Sequence, residues 1–573
     1  MQEHFIYVSK MAKSTPDVGT EVVEGSYSQP PSCKQRPERY DPEETEKHRI
    51  AAAIAFVAIM IVVGLPLWWK TTEVYRVWLP YSRIEALKTL DVRIELRIFV
   101  VGSDEVRGTK LADDLHKLFN DSLLFRANIS VETNVRGVDN VAISEDFDSV
   151  TVKHTGVGEI CLLEVKNSPK LTHNKILVGT KRTVYFSPNT EASELYEVLQ
   201  RWWLREASLT RMMNAMITPT EVDQDAAGRR RVPAAKEYDI LITAINNDPE
   251  KLHLKWNLAK TVQDYLEPFL SKLSSLATFK VKSQWLYYVS LEVHPKLVTQ
   301  TATMGQHYAL AEELLPHIIT PLEKKLASHV SQNRCLNFVV YIPPCSAAPL
   351  HIYRKQGTRA ATTLDAFLSP RWGGIMIHNP PNNICQESDV VEPVVVSPDS
   401  PAIMSIILEQ LRLLLGVPKR EKIRSVNVVA GTSHHLSEWE LDFLLRVRTL
   451  EQFTSAKITL LSLSQLLGEI SNIVINDDVG ESIYDAVDQV ENVAELLQLG
   501  YLEDAFNASK KAFLSSESAF TDPSLLALLY FPDDQKYAVY IPLFLPVMIP
   551  VFMSLKNIYR FFKNSKTVKV KDD

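Results

Sequence analysis

Residues 50–69 read IAAAIAFVAIMIVVGLPLWW, and residues 537–555 read YAVYIPLFLPVMIPVFMSL. Neither run contains an Asp, Glu, Lys or Arg, although 23% of the chain is charged. A helix of about 20 residues crosses the roughly 30 Å hydrocarbon core of a bilayer, and one charge at its centre costs about 2.5–3.5 kcal/mol. We therefore interpret the runs as two transmembrane helices in preference to two buried core helices.

The residues that flank the two runs predict how the chain is oriented. Aromatic residues, which favour the membrane interface, lie at Trp68, Trp69, Tyr75, Trp78, Tyr537 and Tyr540. Lys and Arg are frequent in residues 34–49 and 556–571. Because positive charge favours the cytoplasmic side, both termini are predicted to be cytoplasmic, and residues 70–536 to lie across the membrane. The first run begins at residue 50 and has no small-residue cleavage site, so it is not interpreted as a secretory signal.

Two short patterns indicate the endoplasmic reticulum. Lys569 and Lys571 stand five and three positions from the end of the chain, as in the dilysine signals that return membrane proteins to this compartment. Plain positive-inside charge is the alternative explanation. Asn120, Asn128 and Asn507 each begin an Asn-X-Ser glycosylation acceptor within residues 70–536. The predicted location is the endoplasmic reticulum membrane, with the large domain in the lumen.

Between the two runs, strand patterns alternate with helical patterns. Residues 92–98 have an apolar period of two, which is typical of a strand with one wet face. Further strands are predicted at 160–165, 183–186, 238–245, 285–293, 336–342 and 375–378, and helices at 192–217, 258–276, 308–329 and 400–415. This alternation predicts an α/β fold with helices covering a mixed sheet.

The strand patterns stop after residue 433. Ser437 and Glu440 form a capping-box pattern that begins a long amphipathic helix, and a second helix is predicted at 483–513. The predicted organisation is a disordered cytoplasmic tail (1–49), a first span (50–69), a luminal α/β domain (70–432), a luminal helical stalk (433–536), a second span (537–555) and a basic cytoplasmic tail (556–573).

Proline recurs at every fourth residue of the second run, at Pro542, Pro546 and Pro550. Each proline lacks the N–H that would bond to the carbonyl four residues earlier. In lipid such carbonyls need other donors, so this span is predicted to pack against other membrane subunits. A kinked helix that faces a few waters is the alternative.

The cysteines leave several interpretations open. Cys161, Cys335, Cys345 and Cys385 fall within residues 70–536, where disulfides are permitted. Four cysteines allow three complete pairings, and the sequence does not choose among them. No CxxC pattern is present, so neither a redox pair nor a zinc knuckle is indicated.

The search for catalytic patterns gives no site. The sequence contains no P-loop, GxSxG or HExxH motif, and a net charge of −7 without a basic patch outside the tail argues against nucleic-acid binding. We interpret Thr155-Gly156-Val157-Gly158 as a turn, His434-His435 with Glu438 as solvated residues at a helix entrance, and Arg371-Trp372-Gly373-Gly374 as a turn with a packing anchor. Cys345 follows two prolines and has no neighbouring cation to lower its pKa. No catalytic, cofactor-binding or metal-binding residue is predicted.

Specific stretches, in the same order along the chain, carry a family resemblance. They are residues 65–73 (LPLWWKTTE), 79–82 (LPYS), 369–376 (SPRWGGIM), 470–478 (ISNIVINDD), 522–526 (DPSLL), 530–536 (YFPDDQK) and 540–546 (YIPLFLP). The chain resembles the PIG-S family, subunits of the glycosylphosphatidylinositol (GPI) transamidase. Only the first fifty residues look unlike the family's usual short cytoplasmic tail.

The resemblance implies membership of the complex that replaces a C-terminal hydrophobic signal with a preformed glycolipid in the endoplasmic reticulum. The partners it implies are PIG-K, PIG-T, PIG-U and the peptidase-like GPI-attachment subunit, with GPI and the proprotein as substrates of the complex. In that family the nucleophilic cysteine and its histidine belong to the legumain-like PIG-K, so the resemblance implies a non-catalytic assembly subunit. The alternatives are a luminal thiol hydrolase that uses Cys335, Cys345 or Cys385, and a receptor for precursor peptides.

Overall fold

The computed structural model describes residues 42–72, 75–102, 104–133, 147, 156–166, 168–173, 175–218, 226–299, 305–356, 358–361, 364–381, 385, 393–429, 436–470, 473–526 and 533–569. The chain divides into two compact units. One unit is Val74–Phe531, and the other combines the terminal segments Met1–Glu73 and Pro532–Asp573.

The helices and strands of the described residues are numbered here in chain order. The helices are α1 (Pro42–Ile59), α2 (Leu65–Thr72), α3 (Tyr81–Ala86), α4 (Glu105–Phe119), α5 (Pro169–His173), α6 (Ala192–Val198), α7 (Glu206–Ile217), α8 (Ala226–Arg230), α9 (Leu258–Thr261), α10 (Glu267–Lys272), α11 (Leu315–Glu323), α12 (Ser400–Leu415), α13 (Glu438–Glu469), α14 (Asp477–Gln498), α15 (Leu502–Phe520), α16 (Pro523–Leu526) and α17 (Asp533–Lys569). The strands are β1 (Ile94–Gly102), β2 (Phe125–Thr133), β3 (Glu159–Glu164), β4 (Ile176–Val178), β5 (Thr183–Phe186), β6 (Glu237–Asn246), β7 (Leu252–Leu254), β8 (Thr278–Tyr287), β9 (Lys296–Val298), β10 (His307–Ala311), β11 (Arg334–Ile342), β12 (Leu350–Gln356), β13 (Thr358–Ala361), β14 (Ala366–Ser369), β15 (Gly373–Ile377), β16 (Val394–Val396) and β17 (Val426–Val428). Short π-helical segments, Met60–Gly64, Leu199–Leu204 and Val262–Leu266, connect α1 to α2, follow α6 and connect α9 to α10.

Two main sheets form the large unit. The first sheet has the strand order β17-β4-β5-β3-β1-β2, in which only β4 and β5 pair antiparallel. The second has the order β14-β15-β11-β6-β8, in which only β14 and β15 pair antiparallel. A four-stranded sheet, β13-β12-β10-β9, and the pair β16-β7 complete the described strands. The predicted mixed α/β class is confirmed, but several sheets replace the one that was expected.

The two main sheets repeat one order of connections. In each, the first strand (β1 or β6) is joined on one side by the second strand (β2 or β8) and on the other side by the third (β3 or β11). An antiparallel pair then completes each series: β4 with β5, and β14 with β15. Helices lie between the first two strands in both cases, α4 in one and α9 with α10 in the other. The chain therefore contains the same doubly wound arrangement twice.

α13 contributes apolar side chains to the cores of both main sheets. Trp439, Phe443 and Leu450 are buried in the core built on the first sheet, whereas Leu444 is buried in the core built on the second. α14 and α15 also bury their apolar faces in the first core. The range predicted as a luminal helical stalk is 433–536, and its described helices up to α16 belong to the same compact unit as the sheets. Most of their buried apolar residues pack on the first sheet, and Leu444 packs on the second.

Four predicted elements differ from the structure. The helix predicted at 192–217 is interrupted at Arg205, whose φ of 49° ends one helix before α7 begins. The helix predicted at 483–513 is two helices, α14 and α15, separated at Gly500 with a φ of 76°. Residues 308–329 form β10, a 3-10 turn and α11, because β10 pairs with β9 and β12. The strand predicted at 285–293 corresponds to β8, which occupies Thr278–Tyr287 and therefore begins and ends earlier than predicted.

The terminal unit contains α1, α2 and α17. Residues Lys47–Leu67 form a helix long and apolar enough to cross a membrane, in agreement with the first predicted span. It is the one helix of the described residues that meets this length and composition test. The second predicted span, 537–555, lies within the continuous helix α17, which contains Pro542, Pro546 and Pro550. Membrane crossing by this segment stays a prediction.

Candidate functional site

The first turns of α13 lie between the two main sheets, and we term the polar contacts there the α13 junction. Ser437 and Glu440 form the predicted capping box, in which the Ser437 N–H donates to Oε2 of Glu440 at 3.0 Å. Oε1 of the same carboxylate accepts from Nη2 of Arg412 at 2.6 Å and from Nη2 of Arg420 at 3.0 Å. Glu440 is fully buried, and Arg412 lies on α12, which covers the second sheet. One carboxylate thus caps α13 and fixes it to α12.

Arg182, between β4 and β5, makes the matching contacts on the first sheet. Its Nε and Nη2 donate to the two oxygens of Asp442 at 2.7 and 2.8 Å, and its Nη1 donates to Glu438 at 2.9 Å. Oδ2 of Asp442 also accepts the N–H of Gly158 at 3.2 Å. Paired, parallel hydrogen bonds of this kind fix the orientation of both groups.

The predicted turn before β3 is confirmed for its described residues, Gly156 to Gly158. Gly158 has a φ of 83°, a conformation that favours glycine. The N–H that this turn presents to Asp442 is backbone, so no side-chain motif in the sequence reveals the contact.

Trp439 packs the first sheet against α13. Its indole N–H donates to the carbonyl of Gly179 at 3.1 Å, and its ring lies 5.0 Å from that of Trp203 and 6.3 Å from that of Trp202. The guanidinium of Arg420 lies over the ring of Trp439, 5.6 Å from its centre. The α13 junction therefore combines buried ion pairs with large aromatic surfaces, which suits a rigid connection between the two sheets.

Arg446, one turn after Asp442, has an unusual environment. Its side chain is buried, and none of its three nitrogens has a hydrogen-bond partner within the described part of the chain. Burial lowers the pKa of the Arg446 guanidinium, while the negative charge of Asp442 opposes this effect. Because Asp442 is already bonded to Arg182, Arg446 receives only long-range compensation.

The four cysteines within the described residues do not provide an activated nucleophile. Cys345 and Cys385 form a disulfide with a Cα–Cα distance of 5.0 Å, whereas Cys161 and Cys335 are free thiols, so none of the three complete pairings is formed. Burial raises the pKa of the Cys161 thiol to about 12 and that of the Cys335 thiol to about 11. The thiolate is the reactive form, so both thiols are almost entirely unreactive near neutral pH.

Doubly wound sheets commonly bind ligands at the carboxyl ends of the strands where the order reverses. In the second sheet this point lies between β6 and β11. There, Ile342 packs in a buried cluster with Leu252 and Val396. Asn246 donates from Nδ2 to the carbonyl of Leu252 at 2.6 Å and accepts the N–H of Asp248. Apolar side chains and the bonded Asn246 therefore lie at this end of β6 and β11.

The other predicted features are placed as follows. His434 and His435 lie outside the described residues, whereas Glu438 is bonded to Arg182. No cluster of three metal-binding side chains occurs among the residues that the structure describes. Arg371 has a φ of 61° in the predicted turn, and the half-buried Trp372 packs on the core beside it, as expected for a packing anchor.

The predicted modification and packing residues are dispersed. Asn120 follows α4, Asn128 lies on the edge strand β2 and Asn507 lies on α15, and all three are exposed. Lys569 is the last residue of α17, and Lys571 lies outside the described residues. Pro542, Pro546 and Pro550 are exposed on α17. Their proposed uses are therefore separate from the α13 junction.

Comparisons with known proteins supply the family. The family model described as "Phosphatidylinositol-glycan biosynthesis class S protein" (PIG-S) matches residues 55–565. The chain belongs to the PIG-S family. The α13 junction lies wholly inside the stretch that the PIG-S model matches.

Relatives in the PIG-S family span most of the chain. A protein of Rattus norvegicus named "GPI-anchor transamidase component PIGS" is 37% identical over 89% of this chain and 94% of its own length. The protein of the same name from Homo sapiens is also 37% identical over the same shares. A protein of Saccharomyces cerevisiae named "GPI transamidase component GPI17" is 24% identical over 90% of this chain and 92% of its own length.

Sequence reasoning did not find the α13 junction. Its capping box has a local signature, but Arg182 and Asp442 are separated by 260 positions and Arg412 and Glu440 by 28. Charged residues at such separations carry no pattern in a single sequence. A buried Asp or Glu on the apolar side of the α13 helix was the one available signal, because such residues are rarely buried without a partner.

Proposed function

We propose that this chain is a non-catalytic subunit of a GPI transamidase, held in the endoplasmic reticulum membrane by two spans with residues 70–536 in the lumen. The observation that carries the proposal is the similarity, over 89% of this chain and 94% of the relative, to proteins named as GPI-anchor transamidase components. The proposed partners are PIG-K, PIG-T, PIG-U and the peptidase-like GPI-attachment subunit, which act on the GPI glycolipid and the proprotein.

The proposed role is positioning. A rigid subunit that holds a catalytic subunit and a glycolipid site in one geometry makes the transfer step nearly intramolecular, which is worth up to about 7–11 kcal/mol of the barrier. The α13 junction supports this role because buried ion pairs connect α13 to both sheets, and packed indoles connect it to the first. The buried apolar cluster of Leu252, Ile342 and Val396 at the ends of β6 and β11 is consistent with a structural use of the second sheet.

The state of the cysteines favours a subunit over a thiol hydrolase. Cys345 and Cys385 are joined to each other, and the raised pKa values of Cys161 and Cys335 oppose thiolate formation. A hydrolase based on Cys335 would need a lowered pKa, whereas burial and the charge of Asp239 raise the pKa of Cys335 more than the charge of Lys282 lowers it.

The test is to express the tagged full chain in cells whose own PIG-S relative has been removed. We expect a GPI-anchored reporter to return to the cell surface, measured by flow cytometry, and transamidase subunits to co-purify in mild detergent. A chain that reaches the endoplasmic reticulum but neither restores the reporter nor retains any transamidase subunit would refute the proposal. Protease treatment of intact vesicles tests the orientation, since the segment 70–536 should be protected.

Two cysteine variants separate the subunit from the hydrolase. Cys335→Ser should restore the reporter as well as the unmodified chain does, because no covalent step uses this thiol. The double variant Cys345→Ser/Cys385→Ser serves as a control for loss of the disulfide and is expected to lower stability. Normal assembly of Cys335→Ser with complete loss of anchor transfer would instead support the hydrolase.

A further inference from the structure

The prolines of α17 remove hydrogen-bond donors from one side of the helix. Pro542, Pro546 and Pro550 have no backbone N–H, so the carbonyls of Ala538, Pro542 and Pro546 lose the donor four residues later. At about 100° per residue, these carbonyls lie within about 80° of one another around the helix axis. We term this surface the proline stripe. A carbonyl without a donor is costly in hydrocarbon, so each needs a partner from elsewhere.

The chain's own first span lies against a different side of α17. α1 and α17 are in contact within the terminal unit. On α17, Val551 is buried and Ile558 is half-buried, and they lie about 160–180° around the axis from Pro542. Pro542 and Pro546, in contrast, are exposed. Within the described residues, the contact with α1 therefore leaves the proline stripe uncovered.

The first span carries little of the chemistry that the stripe requires. Residues 50–67 consist of Ala, Ile, Phe, Val, Met, Gly, Leu and Pro, and none of these side chains donates a hydrogen bond. Within the predicted span, 50–69, the side-chain donors are the indole N–H groups of Trp68 and Trp69, which lie together at its end. Two adjacent indoles cannot serve carbonyls spread over two turns of α17, so further donors have to come from outside the first span.

We propose that the proline stripe is the contact surface for a transmembrane helix of another subunit, which presents hydroxyl or amide donors such as Ser, Thr, Asn or Gln at a spacing of about four residues. Helices in membranes associate through close packing and hydrogen bonds of this kind. The inference rests on the proposed function, because it requires both membrane insertion of α17 and a multi-subunit complex. It adds the surface and the chemical character of the partner helix.

Site-specific photocrosslinking in the assembled complex tests the proposal. A photoreactive residue replaces Ile549 or Met553, which are exposed and lie within about 20° of Pro542 around the axis. Leu555 is the matched control, because it is also exposed but lies about 140° away. We expect Ile549 and Met553 to capture another membrane subunit and Leu555, which lies about 40° from Val551, to capture lipid or the chain's own first span. The captured peptide should contain hydroxyl or amide side chains.

Proline replacement provides an independent measurement. Pro542→Ala/Pro546→Ala/Pro550→Ala restores the helical donors, so the polar groups of the partner lose their acceptors in lipid. We expect about tenfold less of the captured subunit to co-purify. Pro66→Ala, in the first span, is the control and should leave recovery unchanged.

The outcomes distinguish this inference from the proposed function. Capture of lipid alone, or of the chain's own first span, by both Ile549 and Met553 in a complex that otherwise co-purifies intact would overturn the inference and leave the proposed function standing. Unchanged co-purification of the triple proline variant would also overturn it. Failure of every transamidase subunit to co-purify with the unmodified chain would overturn the proposed function itself.

Discussion

Arg182 donates two hydrogen bonds, of 2.7 and 2.8 Å, to the carboxylate of Asp442, and the two side chains are only 8% and 0% exposed. The pair joins the first sheet to α13 in an interior where either charge alone would be strongly unfavourable. Asp442 is hydrogen-bonded to Arg182 and to the N–H of Gly158. Its negative charge therefore offsets only part of the cost of burying the charge of Arg446.

Replacing Asp442 should be strongly destabilising. Asp442→Asn removes the negative charge that faces Arg182 and Arg446, and we expect a loss of about 3–5 kcal/mol in the free energy of unfolding. Thermal unfolding of the full chain in detergent, followed by tryptophan fluorescence, measures the change. Asp488→Asn is the matched control, because its ion pair with Arg83 is 57% and 40% exposed and should contribute less than about 1 kcal/mol. Equal shifts for the two variants would contradict a special role for the buried pair.

Replacing Arg446 should have the opposite effect. Arg446→Met removes an uncompensated buried charge and retains most of the side-chain volume, so the melting temperature should stay the same or rise. Arg448→Met is the control on the same helix, since the guanidinium of Arg448 donates to Glu451 at 2.8 Å and to the carbonyl of Val232 at 2.9 Å. The control should lower the melting temperature. A large loss of stability for Arg446→Met would mean that Arg446 has a bonded partner in the folded protein.

Gly373→Ala should disrupt the second sheet. Gly373 has a φ of 151°, and a Cβ there would collide with the backbone carbonyl of Asn337 on the neighbouring strand β11. Because this collision involves two backbones in a sheet, neither can move cheaply, and we expect a loss of at least about 3 kcal/mol. Gly468→Ala, near the end of α13, meets no atom within 4 Å and should instead stabilise the chain by about 1 kcal/mol. Comparison of the two melting temperatures checks both effects.

The thiol of Cys335 should react slowly and with a shifted pH dependence. Burial raises its pKa from 9.0 to about 11, so the thiolate fraction at pH 8 should be about 100-fold lower than that of an ordinary thiol with a pKa of 9.0. Alkylation by iodoacetamide, followed by mass spectrometry, should rise about tenfold per pH unit up to about pH 11. Unfolded protein is the reference, and a rate at pH 8 equal to the reference would contradict the prediction.

The same pKa shift predicts how the stability of the folded chain changes with pH. In the unfolded chain the Cys335 thiol ionises near pH 9, whereas the folded chain retains the proton until about pH 11. The unfolded state therefore binds fewer protons between these values, and this group makes the folded state less stable as pH rises from 9 to 11. Below pH 9 it has no such effect. Cys335→Ser should reduce the loss of melting temperature within this window.

The sequence predicted elements accurately where capping or turn residues lie at both of their ends. α12 was predicted at 400–415 and occupies those residues. Asp399 caps its start by accepting the N–H of Ala402, and Gly416 ends it with a φ of 90°. The strand at 183–186 and the capping box at Ser437 were also correct. For α12 and the capping box the decisive interactions lie within a few residues of the element, whereas β5 also pairs with β3, 22 residues earlier.

The errors occurred where pairing with distant strands decided the structure. Residues 307–311 are helical by composition, yet they form β10 because β12, more than forty positions later, pairs with them. β8 ends at Tyr287 because Tyr288 turns the chain with a φ of 56°, while its start is fixed by full pairing with β6. Neither constraint has a local signature. The repeated connection order of the two sheets was invisible for the same reason.

The placement of α13 limits how the polypeptide can be divided for expression. One face of this helix completes the first core through Trp439 and Phe443, and another completes the second through Leu444. A fragment that stops before residue 438 would therefore leave the cores of both sheets incomplete. A fragment that begins after β5 would lack most of the first sheet and expose the indole of Trp439 to solvent. Soluble versions of the large unit should retain both halves together with everything through α15.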